Sequence, residues 1–285
     1  MTHPVLGIDH VFLLVQDLDD AAARYAALGF TLSPRGVHSA TKGTANHTIM
    51  LRDDYFELLG IINDTPANAH RRAMLEQQGE GLYAIACRIG DAREGAAALQ
   101  ALGIATGPVG DFERPVDLAD GTVGRAAFST MEFAADQRPF GTVFMCQHHT
   151  RDTVWLPELL EHPNSATGLA GVLAISDDPL ADARAFARLW AAGQVTPVEG
   201  GAVVTTGVNS APLTLLSRDA LQAMWPEVDL SGTARGVFTA LQIRVEDLAA
   251  VLACLEKAGI AAIRTPRGVA VHPADACGMV LEFVV

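Results

Sequence analysis

An apolar strand, an acidic residue, an Ala-rich helix and a glycine follow one another four times along this chain. The clearest copy is HVFLLVQDLDDAAARYAALGF at 10–30, and the copies start near residues 8, 82, 168 and 238. After each helix come about three short β-prone runs, separated by Gly, Pro, Asn or Asp. The copies therefore recur about every 70–85 residues, which is too long for a solenoid repeat. The pattern predicts four small modules, each of one strand, one helix and about three strands.

The ends of the four helices carry consistent capping signals. An acidic residue stands directly before each helix, in VQDL, IGDA, SDDP and VEDL, where it can cap free N–H groups and meet the positive end of the helix dipole. A glycine follows the last turn in LGF, LGI, AAG and AGI, as a left-handed C-cap requires. The pattern predicts strands at 8–15, 83–89, 170–176 and 238–245, each leading into a helix.

Three connections separate the modules, at 63–81, 151–168 and 218–236. The first is polar, and the middle one carries Trp155, two prolines and a helical turn. A chain of 285 residues exceeds one small core, so two compact units are expected. We therefore predict two domains, 1–165 and 166–285, each built from a pair of modules.

Composition narrows the class of protein. Apolar residues make up 49% and charged residues 19%, which is typical of a well-buried soluble protein. The net charge of −13 and the lack of a Lys/Arg cluster disfavour nucleic acid as a partner. No basic n-region precedes the first apolar run, and no apolar stretch is long enough to span a membrane. The four cysteines are far apart, which favours buried thiols in a reducing cytoplasm.

Two strands place a chargeable side chain at an otherwise apolar position. IDHVFLLV carries His10, and YFELLGI carries Glu57 between Phe56 and Leu58, with Tyr55 on the same face. Because burying an unpaired polar or charged group is costly, both side chains are expected to have partners. His10 and Glu57 are the first candidates for a shared site. His10 could also be a hydrogen-bonded histidine that takes no part in chemistry.

Other polar residues extend the candidate site. Asn46 and His47 precede an apolar strand run, where both could contact substrate, although Asn46 could also cap a turn. His148 and His149 are adjacent on a predicted strand, so at most one faces the site, and we favour His148. Trp155 could close the connection over the site or only pack it in place.

The residues of the first module resemble the vicinal oxygen chelate superfamily. IDHV, DL, YAALGF and YFELLG match its opening and closing strands, and HPADACGMVLEFVV is similar to its last strand. More narrowly, GTANHTIML, YFELLGI and FMCQHHTRDTVWLPELLEHPN resemble the glyoxalase-like branch, over roughly residues 6–170. The resemblance implies an α+β fold of tandem βαβββ modules, four copies in two pairs, forming cup-shaped mixed sheets.

The resemblance also implies where a divalent metal ion binds. Members of the superfamily hold it with a His or similar ligand on the first strand of each paired module and a carboxylate or amide on the last. This gives His10, Glu57 and Gln147 as metal ligands, with Ala84 at the fourth place. His148, His47 or a water would complete the set.

The C-terminal pair lacks the corresponding histidines. Ala170 and Ala240 stand near the two first-strand places, and Glu282 holds one last-strand place. An isolated Glu is not expected to hold a metal ion with useful affinity. We therefore predict that this pair is catalytically silent and that Glu282 is a remnant of the repeat, although a role in a site stays open.

The resemblance implies a metal-assisted lyase, isomerase or dioxygenase acting on a small oxygen-bearing substrate in the N-terminal cup. The expected catalytic residues are His10 and Glu57. The expected substrate contacts are Asn46, His47, Tyr55, His148 and Trp155. GxGxxG, P-loop and GxSxG motifs are absent from the sequence, so no nucleotide cofactor is expected. A metal-free protein that sequesters a small planar ligand is the alternative, a partner-binding scaffold is a third hypothesis, and a homodimer is expected.

Overall fold

A computed structural model describes residues 2–118, 121–233 and 237–285. Its N-terminal half forms one eight-stranded mixed sheet in the order β2-β3-β4-β1-β5-β8-β7-β6. The strands are β1 (Val5–Val15), β2 (Gly36–Val37), β3 (Thr44–Met50), β4 (Tyr55–Ile61), β5 (Gly81–Ile89), β6 (Gly110–Asp117), β7 (Val123–Glu132) and β8 (Thr142–His148). β1 pairs parallel to β4, β5 pairs parallel to β8, and β1 and β5 run antiparallel at the centre. Two modules thus share one sheet through their first strands.

The C-terminal half repeats this arrangement in a second eight-stranded sheet, ordered β10-β11-β12-β9-β13-β16-β15-β14. Its strands are β9 (Ala166–Ile175), β10 (Gln194–Val198), β11 (Gly201–Thr205), β12 (Leu213–Leu216), β13 (Ala240–Val245), β14 (Ile263–Thr265), β15 (Gly268–Val271) and β16 (Val280–Val284). β9 and β13 again run antiparallel at the centre. The predicted α+β fold of four modules in two pairs is confirmed.

In the described ranges, six α-helices connect the strands. They are α1 (Leu18–Ala27), α2 (Ala69–Gln78), α3 (Ala92–Ala101), α4 (Pro179–Ala187), α5 (Arg218–Met224) and α6 (Leu248–Ala258). The side chains of Asp17, Asp91, Asp178 and Asp247 cap α1, α3, α4 and α6, as the sequence predicts. Among the described residues, no helix is both long and apolar enough to cross a membrane.

The predicted glycine caps and polar connections need correction in places. Gly259 ends α6 in the left-handed region with φ 68°, but Gly193 does not cap α4, because that helix already ends at Ala187. The first connection is not a plain linker, because it contains α2. The third contains α5, and its last residues, 234–236, lie outside the described part of the chain.

The concave faces of the two sheets differ in what covers them. In the C-terminal half, α5 and the segment after it lie on that face, and the side chain of Trp225 is fully buried there with Leu221 and Val228. They pack against sheet residues that include Ala240, at the place that corresponds to His10. In the N-terminal half the concave face encloses a cavity of about 340 Å³. Of the two concave faces, as far as the structure describes them, the N-terminal one thus encloses a cavity of a size that suits a small molecule, whereas α5 covers the C-terminal one.

Candidate functional site

The cavity in the N-terminal cup is lined by residues of β1, β3, β4, β6, β7, β8 and α2. His10 and Glu57, predicted from their positions on apolar strands, both line it, as do Asn46 and Tyr55. The His10 ring stacks on the Tyr55 ring with centroids 4.2 Å apart. Four of the residues predicted for the site thus face one space.

His10 is held by a carboxylate that sequence reasoning missed. Asp9 is buried, and its Oδ1 lies 2.8 Å from His10 Nδ1 and 3.0 Å from His148 Nε2. Simple strand alternation would put Asp9 on the face opposite His10. The pairing of β1 with β5 shifts register between Ile8 and His10, and such an irregularity re-aims a side chain. One carboxylate therefore joins two imidazoles.

The charge on Asp9 is stabilised by these two rings. Burial alone would raise the pKa of Asp9, but the hydrogen bonds from His10 and His148 outweigh burial and hold the pKa well below its usual range. The carboxylate accepts, so His10 donates from Nδ1 and leaves Nε2 with a lone pair. His148 donates from Nε2, and its Nδ1 is buried with no partner among the described residues. Both rings therefore present a free nitrogen lone pair.

The second predicted carboxylate has a different partner. Glu57 is half-buried, and its Oε2 accepts a 2.7 Å hydrogen bond from Nδ2 of Asn46. The other amide atom, Asn46 Oδ1, is buried and has no partner in the part of the chain that the structure describes. Asn46 thus orients Glu57, and its unpaired oxygen can accept a hydrogen bond from a bound molecule.

Gln147 does not join the site, which corrects the predicted ligand set. Its Oε1 accepts from the backbone N–H of Ala92 at the start of α3, on the helix side of the sheet. The pairing registers give the right correspondence: Phe12 pairs with Glu57 in the first module, and Ala86 pairs with Phe144 in the second. Phe144 therefore holds the place of Glu57, and the predicted position was three residues too far along the chain.

Two further predicted substrate contacts lie outside the cavity lining. His47 donates from Nδ1 to the carbonyl of Ser33, 2.8 Å away, because it points to the face of β3 opposite that of Asn46. Trp155 donates from Nε1 to the carbonyl of Leu51 and packs edge-on against Tyr55. His47 is thus not a candidate for the missing ligand, and Trp155 packs the connection in place.

His148 lies behind the lining, with its side chain 7% exposed. Its ring packs edge-on against Phe128, Tyr55 and Trp155. His149 is exposed and bonds to Ser129 Oγ. Of the two adjacent histidines, the one favoured from the sequence therefore lies on the His10 side of the sheet.

Three cations that the sequence did not indicate line the same cavity. They are Lys42, Arg71 and Arg114. Lys42 lies just before β3, Arg71 comes from α2 and Arg114 comes from β6. The sequence did not single them out, because Lys42 precedes a strand, Arg114 lies within one, and Arg71 lies in a connection that was interpreted as a linker.

One group of side chains could hold a metal ion. Candidate ligand atoms of His10, Cys146 and His148 all lie within 4.8 Å of one another. Burial raises the pKa of the Cys146 thiol well above its usual range, whereas a metal ion deprotonates a coordinating thiol. The unpartnered Nδ1 of His148 is the observation that favours a metal here. Two imidazoles and a sulfur suit a borderline-soft divalent ion.

Comparisons with known proteins agree with this fold. A model of the family described as the glyoxalase-like domain matches residues 8–192. A hypothetical protein from Staphylococcus aureus aligns with a TM-score of 0.67 at 12% identity, over 97% of this chain and 98% of that one. A comparison with curated proteins finds no match.

Two enzymes of known structure align with lower TM-scores. A variant of homoprotocatechuate 2,3-dioxygenase from B. fuscum aligns with a TM-score of 0.54 at 14% identity, over 100% of this chain and 72% of that one. A mutant of 4-hydroxymandelate synthase from Streptomyces coelicolor has a TM-score of 0.54 at 16% identity, over 92% and 78%. At these identities the likeness concerns the fold alone. Since the family model covers more than half of the sequence, the chain belongs to the glyoxalase-like domain family of the vicinal oxygen chelate superfamily.

Proposed function

We propose that this chain is an enzyme that transfers a proton on a small oxygen-bearing organic molecule bound in the N-terminal cup. The observation that carries the proposal is the placement of a carboxylate-bound histidine, His10, and a second carboxylate, Glu57, in one cavity. A proton-transfer enzyme needs groups that can accept and return a proton within reach of the substrate. This chemistry covers the isomerase and lyase classes.

Asp9 prepares His10 for this role. A buried carboxylate that accepts from one ring nitrogen fixes the tautomer, so that the other nitrogen can act as base, and it stabilises the imidazolium that forms. Tyr55, stacked on the ring at 4.2 Å, limits its rotation. His10 is thus oriented before substrate binds.

Glu57 is the second proton-transfer group. The hydrogen bond from Asn46 fixes one oxygen of its carboxyl group, which leaves the other oxygen for a substrate proton. Two groups in one cavity allow a proton to be removed by one and returned by the other.

A divalent metal ion would be held by His10 and His148, with Cys146 as the sulfur donor. When bound, it would polarise a substrate carbonyl or stabilise an enediolate. Asp9, bonded to both histidines, would then orient them as outer carboxylates commonly do. With His10 occupied in this way, Glu57 is the remaining base. Ring cleavage by a dioxygenase receives less support, because the 2-His-1-carboxylate set typical of non-haem iron oxygenases has a thiol in place of its carboxylate here.

Solvent exchange tests the proposal. In D₂O, the wild-type protein should catalyse incorporation of deuterium next to the carbonyl of at least one member of a panel of small 2-oxo and 2-hydroxy acids, 2-hydroxyketones and their amides, followed by NMR. Glu57→Gln should lower the rate by about 100-fold or more, the usual size of an acid–base contribution. No exchange above background across the panel, or full activity in Glu57→Gln, would contradict it.

Metal content is measured in the same samples. Protein purified without chelators should contain one divalent ion per chain if the metal is resident, and His148→Ala should lose it, since one of only two imidazole donors is removed. A metal-free protein with wild-type exchange assigns the chemistry to His10 and Glu57 alone.

A metal-free binding protein is the second candidate. It is favoured by Ala84 and Phe144, which offer no donor atoms at two of the four metal positions of the superfamily. Such a protein would bind panel members without exchange, and Glu57→Gln would change affinity only.

A further inference from the structure

The three cations of the cavity differ from other basic residues nearby. Arg72 pairs with Asp64 at 2.7 Å, Arg93 with Asp111 at 2.7 Å and Arg125 with Glu113 at 3.0 Å. Within the described residues, Lys42, Arg71 and Arg114 have no such ion pair within 4.0 Å. The outward-facing cations of α2, α3 and β7 thus have acidic partners, whereas those that face the cavity do not.

Burial makes this lack of partners costly. All three side chains are half-buried, and burial lowers the pKa of Lys42 to about 8, with further lowering by the charge of Arg71. Burial also lowers the pKa of Arg71 and Arg114. A desolvated cation that is close to another cation is unfavourable unless an anion or aromatic face compensates.

Aromatic contacts compensate only in part. Lys42 Nζ lies 3.3 Å from the centroid of the Phe112 ring, but the Arg71 guanidinium lies 5.7 Å from that of Phe12, near the limit for a cation–π contact. Arg114 has no such contact among the described residues. The three side chains are thus held ready for an anion without one from the protein that pairs directly with them.

The net charge of the cavity lining indicates what charge the bound anion should carry. Lys42, Arg71 and Arg114 face the cavity together with two carboxylates, Glu57 and Glu132, which leaves one positive charge in excess when the histidines are neutral. The whole chain carries −13, so this excess is local. A single carboxylate balances it, whereas a phosphate dianion overshoots it.

We propose that Lys42, Arg71 and Arg114 form an anion subsite that binds the carboxylate group of the substrate. This rests on the proposed function, because it names the substrate class of the same cup. The guanidinium planes of Arg71 and Arg114 suit bidentate contact with a carboxylate. Phe12, Phe112, Phe128 and Phe144 line the rest of the wall and suit an apolar or planar body. The substrate class is a small organic acid with one carboxylate and a carbonyl or hydroxyl group.

Calorimetry with matched probes tests the subsite. The probes are a small aryl 2-oxo carboxylate, its primary amide, and the phosphorylated analogue of the same body. Wild-type protein should bind the carboxylate at least about tenfold more tightly than the amide, as the loss of one charge-assisted contact implies. Tighter binding of the phosphorylated probe would assign the subsite to phosphate and overturn the carboxylate proposal.

Single-residue variants then test whether Arg71 and Arg114 cause the preference for the carboxylate probe. Arg71→Gln and Arg114→Gln should each weaken carboxylate binding by about tenfold or more while changing amide binding little. Arg72→Gln, on the same helix but paired with Asp64 outside the cavity, is the matched control and should leave both affinities unchanged. Equal losses in Arg71→Gln and Arg72→Gln, or equal losses for both probes, would contradict the proposal.

The Tm of the variants and the deuterium exchange of the probes distinguish failure of the anion subsite from failure of the proposed reaction. Removing an unpaired cation should leave the Tm of the free protein unchanged or higher, and should reduce the rise in Tm on adding the carboxylate. Arg71→Lys retains charge and serves if Arg71→Gln does not fold. Charge-dependent binding without deuterium exchange would support this subsite and contradict the proposed reaction. Equal exchange of acid and amide, unaffected by Arg71→Gln, would support the reaction and contradict the subsite.

Discussion

Asp9 is a buried carboxylate that stabilises the protein only while it is charged. Its folded pKa is depressed below the unfolded value by His10 and His148, so its contribution is present above the unfolded pKa and is lost as the pH falls toward the folded one. Asp9→Asn should therefore lower the unfolding free energy by about 2–3 kcal/mol at pH 7, the scale of hydrogen bonds to charged groups. Urea unfolding at pH 7 and at pH 3 measures this, and an equal loss at both values would contradict it.

The pKa of Asp54 is shifted in the opposite direction, so its effect on stability changes with pH in the opposite sense. Asp54 is buried at the junction of the two sheets, where its Oδ1 accepts from the N–H of Leu169, and burial raises its pKa to about 7. When folding raises the pKa of a carboxyl group, the protein loses stability as the pH rises from the pKa of that group in the unfolded chain to its pKa in the folded protein. Between about pH 4 and 7, the wild-type protein should therefore lose stability relative to Asp54→Asn, on the order of a few kcal/mol. Parallel pH profiles for the two proteins would contradict this.

The sequence predicts part of the site at the level of single residues. His10 and Glu57 could be found because polar groups on apolar strands need partners. Asp9 could not, since a register shift that strand alternation does not reveal turns it toward His10. Gln147 was placed three residues too far along β8. The sequence does not give the lengths of β7 and β8, so a position on β8 cannot be counted from the preceding helix. Arg71 was missed because its helix was interpreted as a linker.

At the scale of elements, α5 covers the concave face of the second sheet, which corresponds to the face that encloses the cavity of the first. Trp225 is fully buried on the concave face of the C-terminal sheet. Trp225→Ala should lower the unfolding free energy by about 3–5 kcal/mol, the usual cost of deleting a buried large aromatic. The affinity of the N-terminal cup for its probe should stay unchanged. Loss of binding in a folded variant would contradict the separation of the two cups.

Glu282 gives a second test on the same sheet. Its Oε2 accepts from Gln242 at 2.6 Å, and both side chains are buried, so it has a partner without any ligand. Glu282→Gln should leave deuterium exchange within a few-fold of wild type, and Glu57→Gln, at the corresponding position of the first module, should not. A large loss with folding intact would show that the second sheet takes part in the reaction.

At the scale of the whole molecule, the two sheets share a core. Phe30 stacks on Phe283 with centroids 5.7 Å apart, and the largest hydrophobic cluster contains residues of both halves. The family match also continues to residue 192, past the predicted boundary at 165. The division into 1–165 and 166–285 stays a prediction, as does the homodimer.

We expect a single cooperative unfolding transition from this shared core. Exposing one half would expose the partner face of the other, so the two sheets should melt together. Differential scanning calorimetry should give one peak whose van't Hoff and calorimetric enthalpies agree. Two resolved peaks, or a stable fragment 1–165, would show independent halves.

Helix α2 lies in a connection between modules, yet it supplies Arg71 to the wall of the cavity, while β1 and β4 supply His10 and Glu57. One of the three side chains that would recognise an anion, Arg71, thus comes from a part of the chain under different constraints from the strands that carry His10 and Glu57. Strands buried in a shared sheet tolerate few changes, but a surface connection accepts substitution, insertion and deletion. A lineage with this fold could therefore shift its preference among anions through changes at residues 63–81, which leave the strands that carry His10 and Glu57 intact.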